Sequence, residues 1–347
     1  MHDDERRRPP LAGPLGRGAE RLYRAELDRR NRRFDRGRGV TRLDRPVVSV
    51  GNLSVGGTGK TPMVAWVVER LLEAGRRPCI AMRGYKRRNA EHSDEEKLYR
   101  ERFPEVPVVA QPDRTAGLRA LFADPAGARV DCVVLDDGFQ HRRLARDLDL
   151  VLVDASRALL GERCLPAGWL REPVESLARA DAIVLTHAER AEPGAVESLV
   201  VALEGRFPRA LVGVTRHVWE SLRVADDGSE TVQSVAWLRG RRVVTACAIG
   251  HPSAFVAMVR QACGTELAGT IIFRDHARFT DARVEALADL ARERSAEAIV
   301  VTEKDWSKLS LASASRWPCA LVRPVLSIGF DRGAEELRAG LLERTGG

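Results

Sequence analysis

A short apolar segment, a glycine-rich turn and an amphipathic segment follow one another between residues 47 and 75. The apolar segment VVSVGNL predicts a buried strand, and PMVAWVVERLLEAG predicts a helix that Gly75 ends. Between them lies SVGGTGKT, whose glycines allow backbone N–H groups to turn inward around phosphate groups. The following helix adds partial positive charge at its N-terminus. A strand, a loop and a helix in this order predict a phosphate-binding loop (P-loop).

The residues of this loop are Ser54, Val55, Gly56, Gly57, Thr58, Gly59, Lys60 and Thr61. Lys60 is predicted to reach the β- and γ-phosphates of ATP, and Thr61 is predicted to coordinate Mg²⁺. Ser54 departs from the usual pattern, which begins with glycine. The alternative is a chance glycine-rich turn, but the Gly-Lys-Thr core and the strand–helix setting agree with the first interpretation.

A second apolar strand, DCVVLDD, ends in two aspartates at residues 136 and 137. Ligands bind at the carboxyl ends of parallel strands, so a carboxylate here is expected beside the phosphate-binding loop. Asp136 is the better candidate for the carboxylate on the Mg²⁺ side, and Asp137 is the second candidate. The alternative is a turn or helix cap formed by Asp-Asp-Gly.

Apolar strands alternate with helices along most of the chain, which predicts an α/β fold with a mostly parallel sheet of the P-loop NTPase type. Between about residues 209 and 237 the residues instead alternate in polarity around a DDGS turn, which predicts a two-stranded ribbon. The predicted domains are a basic arm at 1–45, a nucleotide-binding domain at 46–210, the ribbon linker at 211–238 and a smaller α/β domain at 239–347.

The arm is rich in arginine, and residues 22–38 are compatible with a helix. Tyr23, Leu27 and Phe34 project to nearly the same side at 3.6 residues per turn. A basic amphipathic helix is typical of an element that lies on a membrane surface. The alternative is a solvated arm that packs weakly on the body, and the thin apolar stripe does not choose between the two.

Composition and charge bear on the partners of the chain and on its cellular compartment. The net charge is +7, which favours acidic partners without choosing among nucleotides, phosphorylated substrates, nucleic acid and anionic membranes. No apolar run approaches the ~20 residues needed to span a bilayer, and the N-terminus lacks the apolar centre of a secretory signal. We therefore expect a cytoplasmic protein whose six widely spaced cysteines are buried free thiols.

Two other protein classes share parts of this pattern. The GGTGKT core resembles that of partitioning ATPases, which act on a protein partner, but those proteins carry a signature lysine where this chain has Val55. A membrane-associated scaffold with a vestigial nucleotide site is the other alternative. The intact Gly-Lys-Thr and the aspartate pair argue against it.

Further motifs lie between about residue 46 and residue 309, and they read VGNLSVGGTGKTP, RGY, VLDDGFQHRRLARDLDLVLVDA, LPAGWLREP, AIGHPSAF, FRDHARFTD and TEKD. In sequence and in order, these motifs resemble those of the lipid A 4′-kinase (tetraacyldisaccharide 4′-kinase) family. The resemblance implies Mg²⁺-dependent transfer of the ATP γ-phosphate to the 4′-hydroxyl of a tetraacylated glucosamine disaccharide 1-phosphate. It also implies a peripheral location on the cytoplasmic face of a bacterial inner membrane, at an anionic lipid surface. We expect that neither a nucleic acid nor a protein partner is required.

The resemblance also implies roles for individual residues. Asp94 matches the family's general base in a GDEP block, although Ser93 and Glu96 replace the flanking glycine and proline, so Glu95 is the reserve candidate. His276 matches a histidine that supports the base, and a turn cap is its alternative. The implied substrate contacts are Arg83, Tyr85, His141, Arg171 and Glu172. A surface ion pair is the alternative for the last two.

Overall fold

The structure is a computed structural model that describes residues 9–84, 94–250, 252–274, 277–309 and 317–346. Tyr85 and His276, both predicted to function at the site, lie outside the described residues, as does the side chain of Asp94. The chain divides into two units, and each is described by itself. The first unit comprises Met1–His217 with Ile328–Gly347, and the second comprises Val218–Ser327.

A parallel sheet forms the centre of the first unit, in the order β3-β2-β4-β1-β5-β6-β7. Its strands are β1 Val47–Asn52, β2 Pro78–Met82, β3 Val108–Ala110, β4 Cys132–Asp136, β5 Leu148–Asp154, β6 Ala182–Thr186 and the beginning of β7 Leu211–Asp226. Every residue of β1, β4, β5 and β6 is buried, as expected for strands covered on both faces. The mixed α/β fold with a mostly parallel sheet is therefore confirmed.

Six α-helices accompany this sheet in the described part of the first unit. They are α1 Gly13–Asp35, α2 Lys60–Glu73, α3 Asp94–Arg102, α4 Arg114–Ala123, α5 Ala195–Arg206 and the C-terminal α9 Ala334–Thr345. Two 3-10 helices, Val174–Arg179 and Ala188–Arg190, follow β5 and β6. Helix α2 buries an apolar face that includes Val64 and Val67, which is why its amphipathic pattern is visible in the sequence.

The second unit contains its own parallel strands in the order β10-β9-β11-β12. Their bounds are β9 Val243–Cys247, β10 Gly269–Ile272, β11 Ala298–Val301 and β12 Ala320–Arg332, and β8 Ser229–Gln233 pairs antiparallel with the end of β7. The helices are α6 Pro252–Cys263, α7 Asp281–Glu293 and α8 Glu303–Leu309, with a 3-10 helix at Val235–Leu238.

The unit boundaries differ from the predicted domains at the C-terminus. Residues 328–347 belong to the first unit, although the sequence pattern assigns them to the domain at 239–347. The reason is packing, because Leu337 and Leu341 of α9 are buried in the same apolar cluster as Val64 of α2. The hairpin of β7 and β8 turns at residues 227–228, within the segment predicted to be a ribbon.

Helix α1 packs on the first unit through the stripe that was a candidate for the membrane face. Leu27 is buried, Tyr23 donates its hydroxyl to the carbonyl of Arg171 at 2.8 Å, and the ring of Phe34 lies 5.6 Å from the guanidinium of Arg142. The stripe therefore faces protein. Leu15 and Leu22, on another side of α1, are 79% and 76% exposed. Among the described residues, no helix has the length and apolar character that would let it cross a bilayer.

Candidate functional site

The phosphate-binding loop begins at the carboxyl end of β1 and ends where α2 begins at Lys60. Gly59 precedes the helix with a φ of 75°, a left-handed conformation that glycine adopts without steric cost. Gly56 has a φ of 121°, and a Cβ built on Gly57 would have no heavy atom within 4 Å. The loop thus presents open backbone at a helix N-terminus, as phosphate binding requires.

Hydrogen bonds from the neighbouring strands hold this loop in place. The amide of Asn52 donates to the carbonyl of Ser54 and to the hydroxyl of Thr58, both at 2.8 Å. Thr186, the last residue of β6, donates its hydroxyl to the carbonyl of Thr58 at 3.1 Å. The ammonium of Lys60 donates to Asn52 Oδ1 at 3.5 Å, so one asparagine organises both the loop and its lysine.

Asp136 ends β4 beside this loop, and its carboxylate is buried. Its Oδ2 accepts from the Tyr99 hydroxyl at 3.2 Å, whereas its Oδ1 has no hydrogen-bond partner among the described residues. Burial, together with the nearby carboxylate of Glu95, raises the pKa of Asp136 to about 6, although Lys60 opposes the shift. A buried carboxylate oxygen without a partner is costly in this state and suits a cation.

The donors near Asp136 fit a magnesium ion better than a closed metal cage. Within the described ranges, no group of three or more His, Cys, Asp or Glu residues is placed to hold a metal. Magnesium usually takes one or two carboxylates and completes its shell with water and substrate phosphates. Asp136 and the hydroxyl of Thr61, in the first turn of α2, are suitable donors for such a site.

Asp137 is surrounded by cations. Arg171 Nη1 donates to both carboxylate oxygens at 2.8 Å, Lys60 Nζ lies 3.7 Å from Oδ1, and Arg114 donates to the Asp137 carbonyl at 3.2 Å. Burial raises the pKa of Asp137, but Lys60 and Arg171 outweigh this, so the pKa lies below its ordinary value. Its φ of 51° is a strained backbone conformation, which structures retain mainly at functional sites.

The turn after Asp137 lies directly against β1, and two glycines make this approach possible. A Cβ on Gly51 would lie 2.5 Å from Phe139, and a Cβ on Gly138 would lie 2.5 Å from Ser49 Oγ. Gln140 donates to the carbonyl of Asn52 at 2.9 Å. The motif DDGFQ is therefore fixed against the strand that leads into the phosphate-binding loop.

The other predicted residues that the structure describes have different environments. Arg83 is exposed just beyond β2, at the same carboxyl edge of the sheet. Asp94 is the first residue of α3, and its neighbour Glu95 is close enough to raise the pKa of Asp136. Burial and then Arg114 lower the pKa of His141 to about 4, so this imidazole is neutral at physiological pH.

Glu172 has an environment that does not fit its predicted contact with a substrate. Its side chain has no exposed surface, and it accepts from Arg30 at 3.4 Å, from Asn31 at 3.0 Å and from Arg179 at 3.0 Å. Buried carboxylates require such partners. We therefore revise its role: Glu172 attaches α1 to the segment that presents Arg171.

Three residues of the cluster were missed by sequence reasoning. Asn52 lies within the motif VGNLSVGGTGKT, so its contact with the loop could have been predicted from the sequence. Tyr99 and Arg114 lie outside all the motifs, and they contact the aspartate pair only because α3 and α4 pack against β3.

Comparisons with known proteins identify the family. A family model described as tetraacyldisaccharide-1-P 4′-kinase matches residues 15–344. The chain belongs to this family. The tetraacyldisaccharide 4′-kinase of Anaeromyxobacter sp. strain K is 38% identical over 97% of this chain and 93% of its own length. The kinase of the same name from Geobacter sulfurreducens is 38% identical over 80% of this chain and 79% of its own length.

The crystal structure of the tetraacyldisaccharide 4′-kinase family member LpxK from Aquifex aeolicus, in complex with ATP, is also similar. It superposes with a TM-score of 0.70 at 30% sequence identity and covers 94% of this chain and 98% of its own. Family membership makes this chain a kinase, a phosphotransferase acting on a hydroxyl group, which confirms the predicted family and reaction class. The partitioning-type ATPase is not favoured.

Proposed function

We propose that the chain transfers the γ-phosphate of Mg-ATP to the 4′-hydroxyl of a tetraacylated glucosamine disaccharide 1-phosphate in lipid A biosynthesis. The observation that supports this most directly is the cluster of Lys60, Asp136 and Asp137 beside the phosphate-binding loop, in a chain of this kinase family. Phosphoryl transfer depends mainly on alignment and on neutralising charge, and this cluster supplies both.

Each residue of the cluster has a distinct part in this proposal. Lys60 would bind the β- and γ-phosphates. Thr61 and Asp136 would hold Mg²⁺, which would supply neutralisation of charge on the phosphate oxygens. Asp137 holds Lys60 and Arg171 at the same edge of the sheet, so that both cations stay beside the loop.

The acceptor hydroxyl needs a base, because it is a poor nucleophile until its proton is accepted. We assign Asp136 to the metal, and Asp137 is held by Lys60 and Arg171, so we assign the base to Asp94, at the start of α3. His276 supports the base, and Glu95 is the reserve candidate because it lies close to Asp136. Arg83, Tyr85 and His141 are proposed as contacts for the acceptor.

Replacement of Asp94 tests the base. Asp94→Ala should lower single-turnover rates by ~10²–10⁴-fold, the usual worth of a general base, with little change in nucleotide affinity. His276→Ala should also lower the rate, and the double variant should be less impaired than the product of the two single effects. If Glu95→Ala loses activity while Asp94→Ala keeps it, the base is Glu95. Near-normal rates in both would contradict both assignments.

The proposed location is the cytoplasmic face of the inner membrane, with α1 at the lipid surface. Leu11, Leu15 and Leu22 are exposed on or next to α1, and arginines surround them in the sequence. Exposed apolar side chains flanked by cations suit an anionic lipid surface. The docking face is therefore this leucine face, and not the stripe of Tyr23 and Leu27 that packs on protein.

Vesicle binding tests the leucine face. Leu15→Asp combined with Leu22→Asp should weaken binding to anionic vesicles at least about tenfold, since burying one leucine is worth ~1.5–3 kcal/mol. Binding should also weaken at high salt, which screens exposed charges. Val201→Asp on α5, which is 70% exposed, is the matched control and should bind as the wild type does. Equal sedimentation of the double variant and the wild type would rule out this face.

The reaction itself is tested with the purified chain, γ-labelled ATP and a tetraacylated disaccharide 1-phosphate in detergent micelles. We expect the label to appear in a lipid product that carries one more phosphate, and the transfer to require Mg²⁺. Release of labelled inorganic phosphate alone, with the acceptor unchanged, would instead support an ATPase.

A further inference from the structure

The guanidinium of Arg157, a residue outside the phosphate-binding loop, lies against the backbone of this loop. Arg157 follows β5, and its Nη1 lies 3.5 Å from the carbonyl oxygen of Val55. A Cβ built on Gly56 would lie 3.3 Å from the same Nη1. The Arg157 side chain is 39% exposed, so it contacts the loop while remaining accessible to a ligand.

Asp154, at the end of β5, orients this arginine. Its Oδ2 lies 3.3 Å from Arg157 Nε, and its carbonyl accepts from the Arg157 backbone N–H at 3.2 Å. Ser156 and His187 contact Oδ1 at 2.6 and 3.3 Å. Burial raises the pKa of Asp154, but His187, Ser156 and Arg157 outweigh it and lower this pKa to about 2. The carboxylate therefore remains ionised and fixes the guanidinium through Nε.

Arg157 adds a second positive charge beside the phosphate-binding loop. Lys60 approaches the phosphates from the start of α2, whereas Arg171 is bound to the Asp137 carboxylate. Arg157 places its guanidinium at another point of the loop, next to Val55 and Gly56. A planar guanidinium donates several hydrogen bonds in a geometry that matches phosphate oxygens.

We propose that Arg157 is a catalytic residue that donates hydrogen bonds to the γ-phosphoryl oxygens of ATP during transfer, and that Asp154 is its positioning residue. The inference rests on the proposed phosphoryl transfer. In that step the bond from the γ-phosphorus to the bridging oxygen breaks, and its electron pair stays on ADP. A bond forms from the γ-phosphorus to the acceptor oxygen, whose proton passes to the base. Arg157 remains protonated and stabilises the charge on the moving phosphoryl group.

Substitution at Arg157 separates this role from a purely structural one. Arg157→Ala should lower the single-turnover rate by ~10²–10³-fold, as the loss of one donor to a transition state does. Affinity for ADP with aluminium fluoride, which imitates the transferring phosphoryl group, should fall strongly, while affinity for ADP alone should remain near that of the wild type. Arg157→Lys should recover part of both losses. Arg209→Ala, at an exposed arginine just before β7, is the matched control and should leave both properties unchanged.

Asp154→Asn tests the positioning residue. It should reproduce the selective loss of aluminium fluoride affinity to a smaller degree, since the arginine remains but is less well oriented. If Arg157→Ala weakens ADP and ADP–aluminium fluoride equally, or weakens neither, Arg157 does not contact the γ-phosphoryl group. If the wild type transfers no phosphate to the lipid acceptor but the selective loss is still observed, the acceptor assignment fails and the role of Arg157 stands.

Discussion

Lys60→Ala should abolish detectable phosphoryl transfer, with a loss on the order of 10³–10⁵-fold in single-turnover rate. In the proposed reaction, Lys60 is the residue of the loop that places a positive charge at the β- and γ-phosphates. Its ammonium is held between Asn52 Oδ1 at 3.5 Å and Asp137 Oδ1 at 3.7 Å, so its position is set before ATP binds. Such preorganised charge costs little reorganisation during the reaction.

The fold should survive this substitution, because Asp137 keeps its contact with Arg171. A thermal melt close to that of the wild type is therefore the control for the activity loss. Lys60→Arg keeps the charge but replaces a compact ammonium with a wider planar group, and we expect it to recover little activity. Turnover like that of the wild type in Lys60→Ala would contradict the kinase assignment.

Asp136→Asn should remove activity and stabilise the metal-free protein at the same time. The pKa of Asp136 is raised from 3.8 to about 6 in the folded state. Between these pH values the unfolded chain has lost this proton and the folded chain still holds it, so stability falls as the pH rises. The total loss is about 3 kcal/mol, and above pH 6 it stays constant. Asparagine cannot ionise and avoids this loss.

The measurement is denaturant unfolding of both proteins in the presence of a chelator, from pH 4 to pH 8. Asp136→Asn should be more stable than the wild type by about 3 kcal/mol at pH 8, and the difference should fall below about 1 kcal/mol at pH 4. Asp137→Asn is the matched control and should have the opposite sign at pH 8, because Lys60 and Arg171 lower the pKa of Asp137. Equal stability of Asp136→Asn and the wild type at pH 8 would show that the buried carboxylate costs nothing. In kinase assays the loss of the carboxylate that we propose holds the metal should lower the rate about 10³-fold or more, since such charge stabilisation is worth several kcal/mol.

The part of the site that could be predicted from sequence is local. The loop from Ser54 to Thr61 and the aspartates at the end of β4 can be predicted because a strand, its following turn and the next helix are contiguous in the chain. Tyr99 is different, since it meets Asp136 from 37 residues away through the packing of a helix. No periodicity in the sequence reports such a contact.

Helix α1 is a second case in which the sequence alone does not identify the contacts of a residue. The spacing of Tyr23, Leu27 and Phe34 correctly indicates one apolar face, but it does not say whether lipid or protein covers it. The partners that decide this are the Arg171 carbonyl, the buried Glu172 and Arg142. They lie more than a hundred residues away in sequence, so only the folded chain identifies the face.

The return of the last twenty residues to the first unit affects how the chain can fold as it is synthesised. Ile328, Leu337 and Leu341 complete the apolar cluster that also holds Val64 and Trp66 of the helix after the phosphate-binding loop. Residues 218–327 leave the ribosome before these final residues do, so the inserted unit can reach its folded state first. The first unit can complete this cluster only after residues 328–341 have also been synthesised. Loss of this segment would therefore damage the unit that contains the phosphate-binding loop, although the segment lies far from the loop in sequence.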